Sequence, residues 1–314
     1  MNLDKKMATR DAYGKALVEL AETGKEFLVL DADLAAATKT GTLKKAYPEK
    51  FYDCGIAEQN MIGIAAGIAT TGKLVFASSF AMFAAGRAFE QVRNSIGYPH
   101  LNVKVCATHA GISDGEDGAT HQCNEDMALM RTIPGMVVIN PAEATEAKKA
   151  VFAAAEYEGP VYIRFGRLAI PEIYEDDYKF EIGKGVELVE GNDVTIIATG
   201  LLVCEAIKAS ETLKAEGINA RVINMATIKP LDTEIVIKAA KETGAIVTAE
   251  EHLVSGGLGS AVLEALAENP VPVVRIGVED TFGKSGPANT LLDEFGLRAE
   301  NIVAKAKKAI SLKK

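Results

Sequence analysis

No tryptophan occurs in the chain, and none of its four cysteines pairs in a C-x-x-C. The missing tryptophan decides nothing about function. Cys54, Cys106, Cys123 and Cys204 lie far apart and read as small buried hydrophobes or free thiols of a reducing compartment. Long apolar runs are also missing. Nothing approaches the stretch of about 18 apolar residues that a membrane span needs, and the opening MNLDKKMATRDAYG has no apolar signal core. A cytoplasmic protein with no membrane partner is therefore expected. Basic residues are in short supply: Lys and Arg number 34 against 43 Asp and Glu, a net charge of −9. That balance disfavours nucleic acid or an anionic membrane as partner, but leaves room for a local cationic pocket that holds a small phosphate. Neither G-x-x-x-x-G-K-[ST] nor G-x-G-x-x-G is present.

The chain does have length and alternation. Its 314 residues suffice for about two domains of about 150 residues, each able to bury a core. Short apolar runs (Phe27–Asp31, Phe51–Cys54, Leu74–Ser79, Val103–Thr108, Met136–Asn140, Pro160–Phe165) alternate with helical patterns over Arg10–Leu20, Phe80–Ser95, Asn124–Thr132 and Pro141–Glu156. Thr9 or Asp11 is the candidate cap of the first helix. Strands alternating with helices predict a parallel α/β layer architecture. A charged, irregular stretch from about Pro171 to Asn192 reads as a linker, and a second α/β unit follows from Asp193.

Asp53–Ala69, DCGIAEQNMIGIAAGIA, sets one acid, Glu58, before a run with no charge at all. Gly63, Ala66 and Gly67 recur at helical spacing, so one helix face would be almost bare backbone. A helix so apolar is normally buried. Glu58 would stand in its first turn, where the dipole favours an anion. It reads either as a simple cap or as a carboxylate that needs a specific partner.

A second stretch, His109–His121, holds two of the four histidines, with Asp114, Glu116 and Asp117 between them and Gly111, Gly115 and Gly118 interspersed. A strand running into such a loop is a plausible active-site rim. The spacing is no standard zinc signature, and no metal site is expected. Asp31 and Asp33, at the end of another strand, are candidates for ligand-facing carboxylates. Arg10, Arg164 and Arg167 are candidates for oxyanion binding, since guanidinium forks match phosphate. Phe80 and Phe83 read first as core. Ser255–Ser260, SGGLGS, reads as a tight strand–helix turn rather than a phosphate cradle, and Glu250–His252 as a strand-end turn.

Taken in order, DCGIAEQN from Asp53, SFAMF from Ser79 and THAGISDGEDGATHQ from Thr108 resemble the C-terminal half of transketolase, as do ATRDAYGKAL from Ala8 and DADL from Asp31. The resemblance covers essentially the whole chain. It implies two three-layer α/β domains, each a mostly parallel sheet with helices on both faces. Residues 1–178 would be the thiamine-diphosphate pyrimidine-binding domain, 179–192 a linker and 193–314 the transketolase C-terminal domain. The family's G-D-G…N motif, which holds the diphosphate and its Mg2+ or Ca2+, is absent. The chain thus resembles one subunit of a split transketolase, whose partner is an N-terminal subunit carrying that motif, in a heterotetramer of two plus two.

By the same resemblance, Glu58 would hydrogen-bond the pyrimidine nitrogen and promote the imino tautomer that takes the thiazolium proton. Phe80, Phe83 and Asp33 would line the cofactor. His109, Asp117 and His121 would contact the sugar, with His109 and His121 counted among the catalytic groups. Arg10 and Arg167 would bind its phosphate. A family serine falls at Ala37, beside Thr38, and a family aromatic at Gly86. The implied activity is transfer of a two-carbon ketol unit from a ketose phosphate to an aldose phosphate. The alternatives are a subunit of another thiamine-dependent enzyme, similar to deoxyxylulose-phosphate synthase or a 2-oxo acid dehydrogenase beta subunit, and a non-catalytic regulatory homologue.

Overall fold

The computed structural model describes residues 2–313. Strand β1 (Asn2–Met7) and helix α1 (Thr9–Glu22) lead into β2 (Phe27–Asp31), followed by short helices α2 (Ala35–Thr38) and α3 (Gly41–Ala46). Then come β3 (Phe51–Asp53), α4 (Glu58–Ala69), β4 (Leu74–Phe80), the short α5 (Phe89–Gln91), β5 (Val103–Thr108), α6 (Asp126–Arg131), β6 (Val137–Ile139), α7 (Ala144–Glu156), β7 (Val161–Arg164) and β8 (Ile170–Glu172). The second unit runs through β9 (Val186–Val189), β10 (Val194–Ala198), α8 (Leu202–Ala215), β11 (Ala220–Asn224), β12 (Thr227–Lys229), α9 (Thr233–Thr243), β13 (Ile246–Leu253), α10 (Leu258–Ala265), β14 (Val273–Val278), α11 (Ala288–Glu294) and α12 (Ala299–Ser311).

Two mostly parallel sheets organise these elements. The first has the order β12-β6-β7-β5-β4-β2-β3 and the second β14-β13-β10-β11-β9, each with one antiparallel edge strand. The central strands are buried along their whole length, as β4 and β5 are, which is what helices on both faces require. On one face, α1 turns Tyr13, Leu17 and Leu20 inward, and the Tyr13 ring stacks on Phe165 at 4.7 Å. Apolar packing continues from Met61 and Ala65 on α4 through Met127 to Ile223 and Leu258 in the second unit, so one core joins the two sheets. Each fully buried Leu, Ile or Met in it contributes roughly 1.5–3 kcal/mol.

Several local expectations change. Helix α1 starts at Thr9 from an Ala8 cap without a side-chain hydrogen bond, and Thr9 Oγ1 instead accepts from Gly166 N–H. The stretch Phe80–Ser95 is no regular helix: π-turns at Met82–Arg87 and Val92–Gly97 flank three α-helical residues, an irregularity often found at functional sites. The irregular stretch from Pro171 to Asn192 contains β9, which pairs antiparallel with β11. Strand β12, from the second unit, closes the edge of the first sheet against β6. Helix α4 buries only one side. Gly63, Ile64 and Gly67 are exposed, and nothing stands within 4 Å of where a Cβ on either glycine would lie. No helix among the described residues is long and apolar enough to cross a membrane.

Candidate active site

The parallel strands of the first sheet end on one edge, and the candidate residues lie along it. Asp31 ends β2 with Asp33 two residues beyond, Asp53 leads from β3 to Glu58, Phe80 ends β4, His109 follows β5, and Arg164 ends β7 with Arg167 after it. That is the carboxyl edge, where open α/β sheets bind ligands.

Glu58 opens α4 and is only 2% exposed. It does not cap the helix. Its Oε2 accepts from Arg87 Nη1 at 2.9 Å, and no hydrogen bond reaches Oε1 among the described residues. The Arg87 guanidinium also lies over the Phe83 ring, 4.4 Å from its centre. Phe83 runs nearly parallel to Phe80, with centroids 6.0 Å apart and 15° between the planes. His109 packs on Phe80 at 3.9 Å, and His121 stands edge-on to Phe83 at 5.3 Å. Glu58, Arg87, Phe83, Phe80, His121 and His109 thus form one continuous wall. Beside it opens a cleft of about 960 Å³, lined by Met82, Phe83, Arg87, Thr120, Gln122 and Phe282 among others.

The wall ends in cations. Arg10 Nη1 lies 2.6 Å from His109 Nε2. A guanidinium can only donate, so Nε2 accepts and Nδ1 carries the proton it offers to Thr108 Oγ1 at 2.8 Å. Burial, then Arg10, Arg167 and Lys39, lower the His109 pKa to about 3, so this imidazole is neutral near pH 7. Arg10 also donates to the Ala37 carbonyl at 3.3 Å, and its buried Nε has no partner among the described residues. Arg167 donates to the Asp114 carbonyl and lies 3.7 to 3.8 Å from the Asp114, Glu116 and Asp117 carboxylates. Burial and the neighbouring Asp117 push Asp114 up to about 7, against Arg167.

Asp33 stands apart from the wall. It is exposed, with φ 61°, and its N–H donates to Asp53 Oδ1 at 3.1 Å. Asp31 is a loop staple rather than a ligand group, because its carboxylate accepts from Thr38, Thr40 and the Leu34 N–H. Arg164 is not free for an oxyanion either, since it is buried in an ion pair with Asp126 at 2.8 Å. The Ser255–Ser260 turn is no phosphate cradle, because Glu250 takes the N–H groups of Leu258 and Gly259 at the start of α10. No group of three or more His, Cys, Asp or Glu among the described residues is placed to hold a metal ion.

Two neighbours of the wall carry little signal in the sequence. Arg87 is a lone arginine in a helical pattern, and only its place four residues after Phe83 hints that the two meet. Met82 folds its Cε over Gly86, into the space where a Cβ at that position would lie.

Fold and site together define an α/β protein built on two mostly parallel sheets, with a small β1–β8 ribbon beside them, that carries an aromatic–carboxylate pocket on the carboxyl edge of its first sheet. Residues 5–172 match the family model of the transketolase pyrimidine-binding domain and residues 183–302 that of the transketolase C-terminal domain. The chain belongs to the transketolase family. It is 54% identical over 297 residues to a Methanocaldococcus jannaschii chain named as a transketolase C-terminal section, covering 93% of each. It is 45% identical to a 6-deoxy-6-sulfo-D-fructose transketolase subunit of a Clostridium species, covering 95% of this chain and 92% of that one. Among solved structures, a split-gene transketolase described as an inactive beta4 tetramer superposes with a TM-score of 0.91 at 53% identity, covering 99% of this chain and all of the other.

Proposed function

We propose that this chain is the C-terminal subunit of a split transketolase, active only with a separate diphosphate-binding subunit. It would take a two-carbon ketol unit from a ketose phosphate to an aldose phosphate, the reaction of EC 2.2.1.1. The observation that carries this reading is Glu58: a buried carboxylate with one oxygen held by Arg87 and the other without a partner among the described residues, at the end of a wall of parallel phenylalanines.

That donor set fits the aminopyrimidine end of thiamine diphosphate, a flat ring with a nitrogen to hydrogen-bond. It does not provide for the other end. The one Gly-rich turn that resembles a phosphate cradle has its amides taken by Glu250, and no metal cluster is present among the described residues. We assign the diphosphate and its Mg2+ or Ca2+ to the partner because the G-D-G…N motif that holds them in the resembling family is not in this sequence. When bound, thiamine diphosphate supplies the electron sink for breaking and re-forming the carbon–carbon bond.

This chain's residues do the rest. Glu58 would hold a proton at the ring nitrogen and Phe80 and Phe83 would flank the ring, whereas Asp33, exposed and apart from the wall, is assigned to the cofactor by the family resemblance alone. His109, His121 and Asp117 orient the sugar hydroxyls. Arg10 and Arg167 hold its terminal oxyanion. The sulfo-sugar named for one relative ends in an oxyanion too, so the arginine pair suits a phosphate without requiring it. The division at 1–178, 179–192 and 193–314 is part of the same proposal. So is a two-plus-two heterotetramer; its self-association component is supported by the exposed Gly63–Ile64–Gly67 face and by the beta4 description of the solved relative. The four free cysteines support a cytoplasmic setting in the pentose phosphate pathway's compartment.

The test is ketol transfer from xylulose 5-phosphate to ribose 5-phosphate, with the chain alone and with the diphosphate subunit added. Activity is expected only in the mixture, and Glu58→Gln should lower it by about a hundredfold or more. Full activity from the isolated chain, or wild-type turnover in the Glu58→Gln complex, overturns the proposal. Product formed with pyruvate as donor instead favours the deoxyxylulose-phosphate synthase-like alternative.

A further inference from the structure

The loop that the proposed function gives to the sugar, His109–His121, rests on the second sheet. Where a strand-end turn was expected, Glu250, Glu251 and His252 lie inside β13, all three buried, and each serves a different element. Glu250 caps α10. His252 Nε2 accepts from Ala128 N–H at 3.2 Å, on α6. Glu251 Oε1 accepts from Ser113 N–H at 2.5 Å, in the turn Ile112–Asp114 at the start of the loop.

The loop is fastened at both ends. Gly111 N–H donates to the Cys123 carbonyl at 2.8 Å, and Leu253 N–H donates to the Asn124 carbonyl at 2.7 Å. Arg164 Nη2 bridges the two sheets, donating to the Glu251 carbonyl at 2.8 Å and the Cys123 carbonyl at 3.3 Å. Between those ends, Gln122 Nε2 donates to the Ile112 and Gly115 carbonyls at 3.3 and 3.0 Å and Arg167 to the Asp114 carbonyl, while the Glu251 carboxylate takes the Ser113 N–H of the Ile112–Asp114 turn from the second sheet. Gly111, with φ 86°, leaves it room: a Cβ there would collide with the Glu251 carboxyl group. Gly115 to His121 spring from this turn, and with them Asp117 and His121.

We propose that Glu251 is a positioning residue for the sugar-binding loop: by accepting the Ser113 N–H it fixes the height of the Ile112–Asp114 turn, and through it Asp117 and His121. The inference rests on the function proposed above. It also gives the second sheet a role in the reaction that no residue of that sheet performs directly. Burial pushes Glu251 up to about 7 despite Arg164, and the Ser113 N–H needs only an acceptor oxygen at that reach, which the charged and the neutral acid both present. A glutamine keeps that reach and loses the charge. An aspartate keeps the charge and falls short by one methylene.

The test compares Glu251→Gln with Glu251→Asp in the full chain, reconstituted with the diphosphate subunit. Glu251→Asp is expected to raise the xylulose 5-phosphate KM about tenfold, the value of one hydrogen bond, with thiamine diphosphate affinity unchanged. Glu251→Gln is expected to restore the wild-type KM. In the chain alone, amide hydrogen exchange over residues 111–118 should be faster in Glu251→Asp and wild-type in Glu251→Gln. The reverse order, Gln damaging and Asp benign, overturns the proposal, because charge would then be what matters. Wild-type exchange in Glu251→Asp overturns it as well. A wild-type complex without ketol transfer removes the proposed function instead, and the exchange result still decides the role of Glu251.

Discussion

Arg87 Nη1 donates to Glu58 Oε2 at 2.9 Å while its guanidinium carbon lies 4.4 Å from the centre of the Phe83 ring. One cation therefore ties the buried carboxylate to the aromatic wall. It is also the charge partner that a carboxylate at the mouth of an apolar helix requires. Without it the buried carboxylate loses its hydrogen-bond partner and Phe83 its cation. Arg87→Met should therefore lower ketol-transfer turnover in the reconstituted complex about tenfold, the value of one charge-assisted hydrogen bond. Wild-type turnover in Arg87→Met contradicts it.

His109 offers a pH test. Its folded pKa, about 3, lies below the ordinary 6.5, so between these values the unfolded chain binds a proton that the folded chain refuses. Stability is lost as pH falls through that window, at up to about 1.4 kcal/mol per pH unit. His109→Asn removes this loss, and asparagine tolerates the positive φ of 59°. The melting temperature of the variant relative to wild type should rise between pH 7 and pH 5.

Glu143 predicts the opposite sign. It caps α7, accepting from the N–H groups of Thr145 at 2.9 Å and Glu146 at 2.7 Å, and burial pushes it up to about 7. Here the folded chain takes up the proton first, so stability falls as pH rises from about 4.5 to about 7. Glu143→Gln cannot ionise. Its melting temperature relative to wild type should climb from pH 5 to pH 8.

Much of the first sheet and its edge is legible in the sequence because the signals are local. Phe27–Asp31 and Val103–Thr108 read as strands from apolar runs and appear with the same bounds. Phe80, His109 and Glu58 are marked by what immediately surrounds them. What stays hidden depends on distant partners. Glu251 meets Ser113 across 138 positions, and β12 leaves the second unit to close the first sheet. The apolar run of α4 suggests burial on all sides, but a single chain covers only one, and Ile64 remains outside. Arg164, a plausible oxyanion ligand by residue type, is buried against Asp126 from another part of the chain.

Two glycines separate a replaceable gap from a required one. At Gly86 a Cβ would meet the Cε and Sδ of Met82, the free end of a flexible side chain that can swing toward the adjoining cleft. At Gly191 it would meet the backbone of Ala220 and Arg221, at the start of β11, which cannot move without disturbing the pairing of β11 with β10. Gly86→Ala should therefore cost less than about 1 kcal/mol, whereas Gly191→Ala should cost about 2 kcal/mol or more. Urea unfolding of the two variants under identical conditions makes the comparison. Equal midpoints would mean that the chain around Gly191 yields as readily as a methionine tip. Gly86→Ala also pushes the Met82 tip toward the cleft it shares with Phe83, so weaker thiamine diphosphate binding in the complex at nearly unchanged stability is the expected result.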